Sequence, residues 1–308
     1  MKMNWAGVMP AITTKFTKED QLDIDMFSTN IKAQVDAGVH AIILGGTLGE
    51  ASTLTQDEKR ILMQHTVDLV EDKIPVVINI AEQTTKDAIL AAEKAEKYGA
   101  KGIMILPPMR YKSTDYETVA YFKAVAQSTS LPMMIYNNPV DYKIEVTLDM
   151  FEELIEHDNI EAVKDSARDI TNITRMRNRF GDRLKILCGV DTLAMESMLM
   201  GADGWVAGLV CAFPRETVAI YELVKAGKIK EAKAIYRWFM PLLELDISPQ
   251  LVQNIKLAEV ATGIGTEYVR LPRMPLQGKE RERVKAIIEE GMRTRPEIAD
   301  LVRTKVKV

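Results

Sequence analysis

The sequence predicts a (β/α)8 TIM barrel with a C-terminal helical extension, and three observations predict it. Short apolar runs recur eight times, each followed by a longer stretch in which apolar residues return at helical spacing. The runs are continuous rather than alternating, the pattern of parallel strands covered by helices. At 308 residues the chain exceeds the roughly 250 that such a barrel typically uses, which leaves a remainder for the extension. Residues 1–217 are therefore assigned to the barrel, with its active site at the C-terminal ends of the strands, and 218–308 to helices packed on it.

The eight runs cover 7–13, 41–44, 75–80, 102–106, 132–136, 160–164, 185–189 and 204–208. Helical spacing spans 23–37, 55–72, 84–98, 114–129, 147–157, 170–180 and 192–200 between them. The stretch from Thr55 to Glu58 has the spacing of a capping box, in which each side chain satisfies a free amide of the first turn. After the eighth run the rhythm stops, and 218–259 and 278–302 read as helices, with an apolar segment at 236–245 suited to a further layer or a subunit contact. The loop at 263–275 is the least regular stretch.

Composition excludes several classes of function. Forty basic against 44 acidic residues give a net charge of −4, too weak a field to attract nucleic acid or an anionic membrane. The basic residues at 279–285 alternate with Glu and read as a solvated helix face. Two cysteines, Cys188 and Cys211, make no disulfide framework and read as small buried residues inside strands of a cytoplasmic protein. No signal-like segment or membrane span is expected. The isolated His40, His65 and His157 argue against a metal, with His40 placed before its strand at the wrong end of the barrel. Neither a Gly-x-Ser-x-Gly elbow nor a P-loop occurs, and no cofactor is implied.

Chemistry in such barrels collects where strands end. The sixth run delivers Lys164 there at the end of mostly apolar residues. An ordinary amine, with a pKa of about 10.4, is almost wholly charged at neutral pH, and desolvation lowers that value and makes the lysine a nucleophile for carbonyl carbon. A salt-bridged structural lysine is the competing reading. Tyr136 ends the fifth run, at the start of Tyr-Asn-Asn-Pro, where its hydroxyl can approach Lys164 and shuttle protons if the two strands are neighbours. The loop Gly45-Gly46-Thr47-Leu48-Gly49-Glu50 ends the second run, and its glycines let amides approach an anion such as a carboxylate. Thr47 and Glu50 also have capping-box spacing, so a structural role stands beside the functional one.

Together the loop at 46–50, the Tyr-Asn-x-Pro turn at 136–139 and Lys164, in that order, resemble the dihydrodipicolinate synthase / N-acetylneuraminate lyase family over essentially the whole chain. The resemblance implies that Lys164 forms an imine with C2 of a 2-oxo acid and that Tyr136, aided by Thr47, moves protons. It implies that Thr47 and Leu48 supply amides to the carboxylate, that Gly46, Gly189 and Gly208 line the pocket, and that the chain forms a homotetramer.

Three departures separate the chain from the founding synthase: Leu48 replaces a second threonine, Asp141 replaces an arginine that grips a second carboxylate, and 107–111 lacks a relay tyrosine in its usual place. Residues 5–14, 163–166, 201–206 and 238–243 are similar to the branch of 1-pyrroline-4-hydroxy-2-carboxylate deaminases, although that branch more often has Asn where Cys211 stands. Dehydration and deamination of that cyclic imino acid to 2-oxoglutarate semialdehyde is the activity implied. Retro-aldol cleavage or dehydration of a sugar acid and a synthase-like condensation are alternatives. A non-catalytic 2-oxo acid sensor is disfavoured, because simple binding needs no proton relay.

Overall fold

A computed structural model describes residues 3–108 and 111–298. Eight parallel strands are arranged in the order β1-β8-β7-β6-β5-β4-β3-β2. They are β1 (Gly7–Pro10), β2 (Ile42–Leu44), β3 (Val76–Ile80), β4 (Gly102–Ile105), β5 (Met133–Asn137), β6 (Ile160–Asp165), β7 (Lys185–Cys188) and β8 (Gly204–Ala207). The Ala11–Ile43 bridge, with the Ile12 amide donating to the Ile43 carbonyl at 2.9 Å, joins β1 to β2 and completes a (β/α)8 TIM barrel. Nearly every strand residue is buried, because the barrel's own side chains fill one face and the helices cover the other.

Those helices are α1 (Ile24–Ala37), α2 (Gln56–Val70), α3 (Thr85–Lys97), α4 (Asp115–Ser128), α5 (Pro139–Tyr142), α6 (Leu148–Leu154), α7 (Thr171–Phe180), α8 (Ala194–Leu199) and α9 (Pro214–Lys225). Polar residues start most of them as their spacing predicts: Asp23, Thr84 and Thr147 cap α1, α3 and α6, and complete capping boxes form at Thr55–Glu58 and Thr114–Glu117. No helix among the described residues is long and apolar enough to cross a membrane.

Several boundaries differ from the sequence reading. The first strand stops at Pro10 rather than 13, because Thr13 and Lys15 turn their side chains toward Glu259 instead of continuing the sheet. The stretch 218–259 is not continuous. Gly227, with φ of +72°, separates α9 from α10 (Ile229–Leu243), and a 3-10 turn at Glu244–Asp246 followed by Pro249 precedes α11 (Leu251–Thr262). The last helix, α12 (Gly278–Arg293), ends before 302 because Pro296 disfavours helix in the residue preceding it. Residues 299–302 of that expected helix, and 109–110 of the run 107–111, lie outside the described residues.

The C-terminal helices are tied to the barrel by buried charge. Lys256 of α11 and Glu50 are both fully buried, with Nζ 2.5 Å from Oε1 and donating also to the Tyr268 carbonyl at 2.6 Å. Burial lowers the Lys256 pKa to about 8 against the pull of Glu50. Lys15 and Glu259 form a second fully buried pair at 3.0 Å. Breaking one partner of such a pair leaves a charge out of water with nothing to offset it. Lys256→Met is expected to lose about 3–5 kcal/mol of stability in urea unfolding, and Glu50→Gln combined with Lys256→Met to lose less, because no lone charge then remains.

Candidate active site

Strands β5 and β6 are neighbours, and their register sets Tyr136 opposite Lys164. The amine lies 3.9 Å from the centroid of the Tyr136 ring. Lys164, Tyr136 and Thr47 line one cavity of about 490 Å³ at the C-terminal ends of the strands. Gly46, Leu48, Gly189 and Gly208 line the same cavity, so every residue singled out from the sequence as a site residue meets there.

Burial dominates the electrostatics of this pair. It lowers the Lys164 pKa, against the opposing influence of Tyr142, Asp246 and Asp191. It raises that of Tyr136, whose hydroxyl is bonded by Asn138 and Ser166. The Asn138 amide donates to the phenol at 3.2 Å, and Ser166 donates onward to the Gly189 carbonyl at 3.1 Å. Gly189 has no side chain because there is no room for one: a Cβ would sit 2.2 Å from Ser166 Oγ and 2.6 Å from Lys164 Cε. Asp165, next in the strand, faces Asn137 and Asn172 instead of the cavity, and burial lifts its pKa to about 7.

The glycine loop differs from the capping-box reading of its sequence. Thr47 and Glu50 do not form a capping box. Glu50 takes a left-handed conformation, φ of 52°, and sends its carboxylate to Lys256, while the Thr47 hydroxyl bonds that of Tyr142 at 2.8 Å. The turn's own bonds run from the Glu50 amide to the Thr47 carbonyl and from the Ala51 amide to that of Gly46. They leave the Thr47 and Leu48 amides uncommitted within the turn. Thr47 is therefore joined to Tyr142 rather than to Tyr136, and the rings of Tyr136 and Tyr142 meet edge to face, 5.6 Å between centroids.

Tyr142, Arg168 and Asp246 complete the cavity wall and were not found from the sequence. Tyr142 had one available signal, a tyrosine three residues after Pro139 on a one-turn helix capped by Asn138. Asp141 accepts from the Asn138 amide at 2.8 Å and lies 3.6 Å from the Arg168 guanidinium. Although Asp141 stands in place of an arginine, Arg168, from the loop after β6, brings a cation to it. Asp191 accepts from Trp205 Nε1 at 2.8 Å and from the Gly208 and Leu209 amides at 3.1 and 2.8 Å, pinning the end of β8.

The cysteines do not line the cavity. Cys188 lies in β7, and burial pushes its thiol up to about 12. Cys211 is in the 3-10 turn Leu209–Cys211 rather than a strand, fully buried, its thiol donating to the Ala11 carbonyl at 3.3 Å. His40 lies before β2, accepting from the Val8 amide at 3.1 Å, at the opposite end of the barrel from the cavity.

A desolvated amine beside a phenol, at adjacent strand ends of a parallel barrel, is the equipment of a lyase that works through a lysine Schiff base. A family model described as the dihydrodipicolinate synthetase family matches residues 4–291, and the chain belongs to that family. It is 30% identical over 273 residues to the 4-hydroxy-tetrahydrodipicolinate synthase of Exiguobacterium sibiricum, covering 88% of this chain and 91% of the relative. A second synthase, from Halalkalibacterium halodurans, is 27% identical over 93% of this chain and 97% of its own. Among solved structures, a dihydrodipicolinate synthase from Bacillus anthracis superposes with a TM-score of 0.90 at 27% identity, covering 96% of this chain and all of the other (100%).

Gly189→Ala tests the geometry, since the atoms it displaces belong to the Ser166 and Lys164 side chains rather than to backbone, and the fold is expected to survive. Borohydride-trapped adduct with pyruvate should fall at least about tenfold by intact-protein mass spectrometry. A yield equal to wild type would show that the amine is not confined by that wall.

Proposed function

We propose that the protein acts on a 2-oxo acid or cyclic imino acid through an imine at Lys164, and that its reaction is the dehydration and deamination of 1-pyrroline-4-hydroxy-2-carboxylate to 2-oxoglutarate semialdehyde. The register pairing of Tyr136 with a buried Lys164 carries the first part of this reading. The amine adds to C2 of the substrate, and Tyr136 moves the protons of addition and ring opening. The Thr47 and Leu48 amides receive the carboxylate. The bonded hydroxyl pair Thr47–Tyr142 stands beside the Tyr136 ring at the same wall.

The second part rests on charge. Ring opening liberates an amine that is cationic at neutral pH, and Asp141 on the cavity wall favours it. A condensation of the kind named in the relatives is the second reading, favoured by Arg168, whose guanidinium can receive a second carboxylate at the mouth.

Incubation with the pyrroline followed by an ammonia assay separates the two: ammonia release supports the deaminase, while turnover only of pyruvate with an aldehyde partner supports condensation. Lys164→Ala is expected to abolish turnover and the trapped adduct with the fold intact, and appreciable residual activity would sink the imine assignment. The wild-type trapping rate should reach its plateau well below pH 10.4, because the lowered lysine pKa makes the neutral amine available there. A rate still climbing tenfold per pH unit at pH 9 would mean an unperturbed lysine.

Tyr136→Phe is expected to slow turnover by about 10²–10⁴, the range of a general acid–base group, and Tyr142→Phe by less. Equal rates for wild type and Tyr136→Phe in a stopped assay would make that phenol structural.

A further inference from the structure

Asp191 and Asp246 act on Lys164 and Asp141 lines the same cavity, and two of these three carboxyl groups are already committed. Asp191 is held by an indole and two backbone amides, and Asp141 by Asn138 and Arg168. Asp246 is different. It ends the 3-10 turn Glu244–Asp246, whose Leu245 carbonyl is fixed by the Asn254 amide at 3.0 Å, and its side chain reaches the cavity over Gly208. A Cβ on Gly208 would lie 2.4 Å from Asp246 Oδ1, so the bare glycine is what admits the carboxyl. Among the described residues that carboxyl makes no hydrogen bond, although it lies inside the wall. The charged groups facing it are Asp191, Lys164, Arg168 and Asp141.

From this placement we infer that Asp246 is a second catalytic acid, which delivers the proton that allows a hydroxyl to leave C4 of the Lys164-bound substrate as water. The inference rests on the imine reading of Lys164. In the enamine formed after a proton has left C3, the nitrogen lone pair re-forms the C2 iminium and the C2=C3 pair moves to make C3=C4. The C4–O bond breaks with its electrons on oxygen, and the Asp246 proton joins that oxygen. One proton is consumed and one water released, and the carboxylate regains its proton from solvent before the next turnover. Burial raises the Asp246 pKa well above that of an ordinary carboxyl, which keeps the required proton in place. Tyr136 is committed to Asn138 and Ser166, whereas Asp246 has no such bond, which leaves Asp246 available to the leaving group.

Asp246→Asn separates the steps. Exchange of the pyruvate methyl hydrogens for deuterium, followed by NMR, requires the imine and loss of a C3 proton but no leaving group. This exchange is expected within about threefold of wild type, while ammonia release from the pyrroline, or water loss from a 2-oxo-3-deoxy sugar acid, falls by about 10²–10⁴. Elimination within threefold of wild type overturns the proposal. Parallel loss of exchange and elimination in a variant with native circular dichroism also overturns it, since Asp246 would then act on Lys164. Asp246→Ala repeats the comparison if the Asn variant melts early. Wild-type protein that exchanges deuterium yet eliminates from neither substrate overturns the elimination step alone. Wild-type protein that exchanges none overturns the imine reading itself.

Discussion

An amine kept out of water at the end of β6 is the constraint around which this molecule is arranged. A lysine at a strand end would ordinarily reach for solvent or a carboxylate, and either would hold it charged. Here the Tyr136 ring covers one side, Gly189 supplies a wall without bulk, and the carboxyls around the amine either bond other partners or line the same cavity. Desolvation prevails over acidic neighbours in setting the Lys164 pKa. The register of β5 on β6 therefore carries chemical meaning, because a slip of one residue would turn Tyr136 to the other face of the sheet.

Around that pair, the chain spends buried ions on shape. Glu50 takes a left-handed turn just after the loop residues that line the cavity, and its carboxylate is matched by Lys256 and by the Arg270 amide at 3.0 Å. Arg270 in turn clasps Glu58, which also completes the capping box of α2. Buried pairs of this kind add little net stability over apolar packing, but they fix position. The position fixed here is that of the loop bearing Thr47 and Leu48.

Much of this was legible in the sequence because it is written locally. The strands announce themselves as apolar runs between capped helices, and Lys164 is conspicuous as a charge at the end of one. Tyr136 could be placed beside it once consecutive strands of a barrel were taken as neighbours. What was not legible depends on distant segments meeting. Nothing near Asp246 marks it as part of a cavity until α10 turns back over Gly208, and Arg168 reads as an ordinary loop residue until its left-handed backbone, φ of 59°, carries it to Asp141. Thr47 and Glu50 misled for a related reason: their capping-box spacing was present, but each side chain found a stronger partner elsewhere.

The contribution of α10 and α11 has a consequence for modularity. Barrel enzymes are often treated as a rigid tub with interchangeable loops on its rim. In this chain the segment beyond β8 supplies Lys256 under the glycine loop and Asp246 beside Gly208. A recombinant that joined the first eight strands to a foreign tail would inherit the buried Lys164 but strand Glu50 without its counter-ion. Exchange of parts between relatives would have to carry the tail along with the rim.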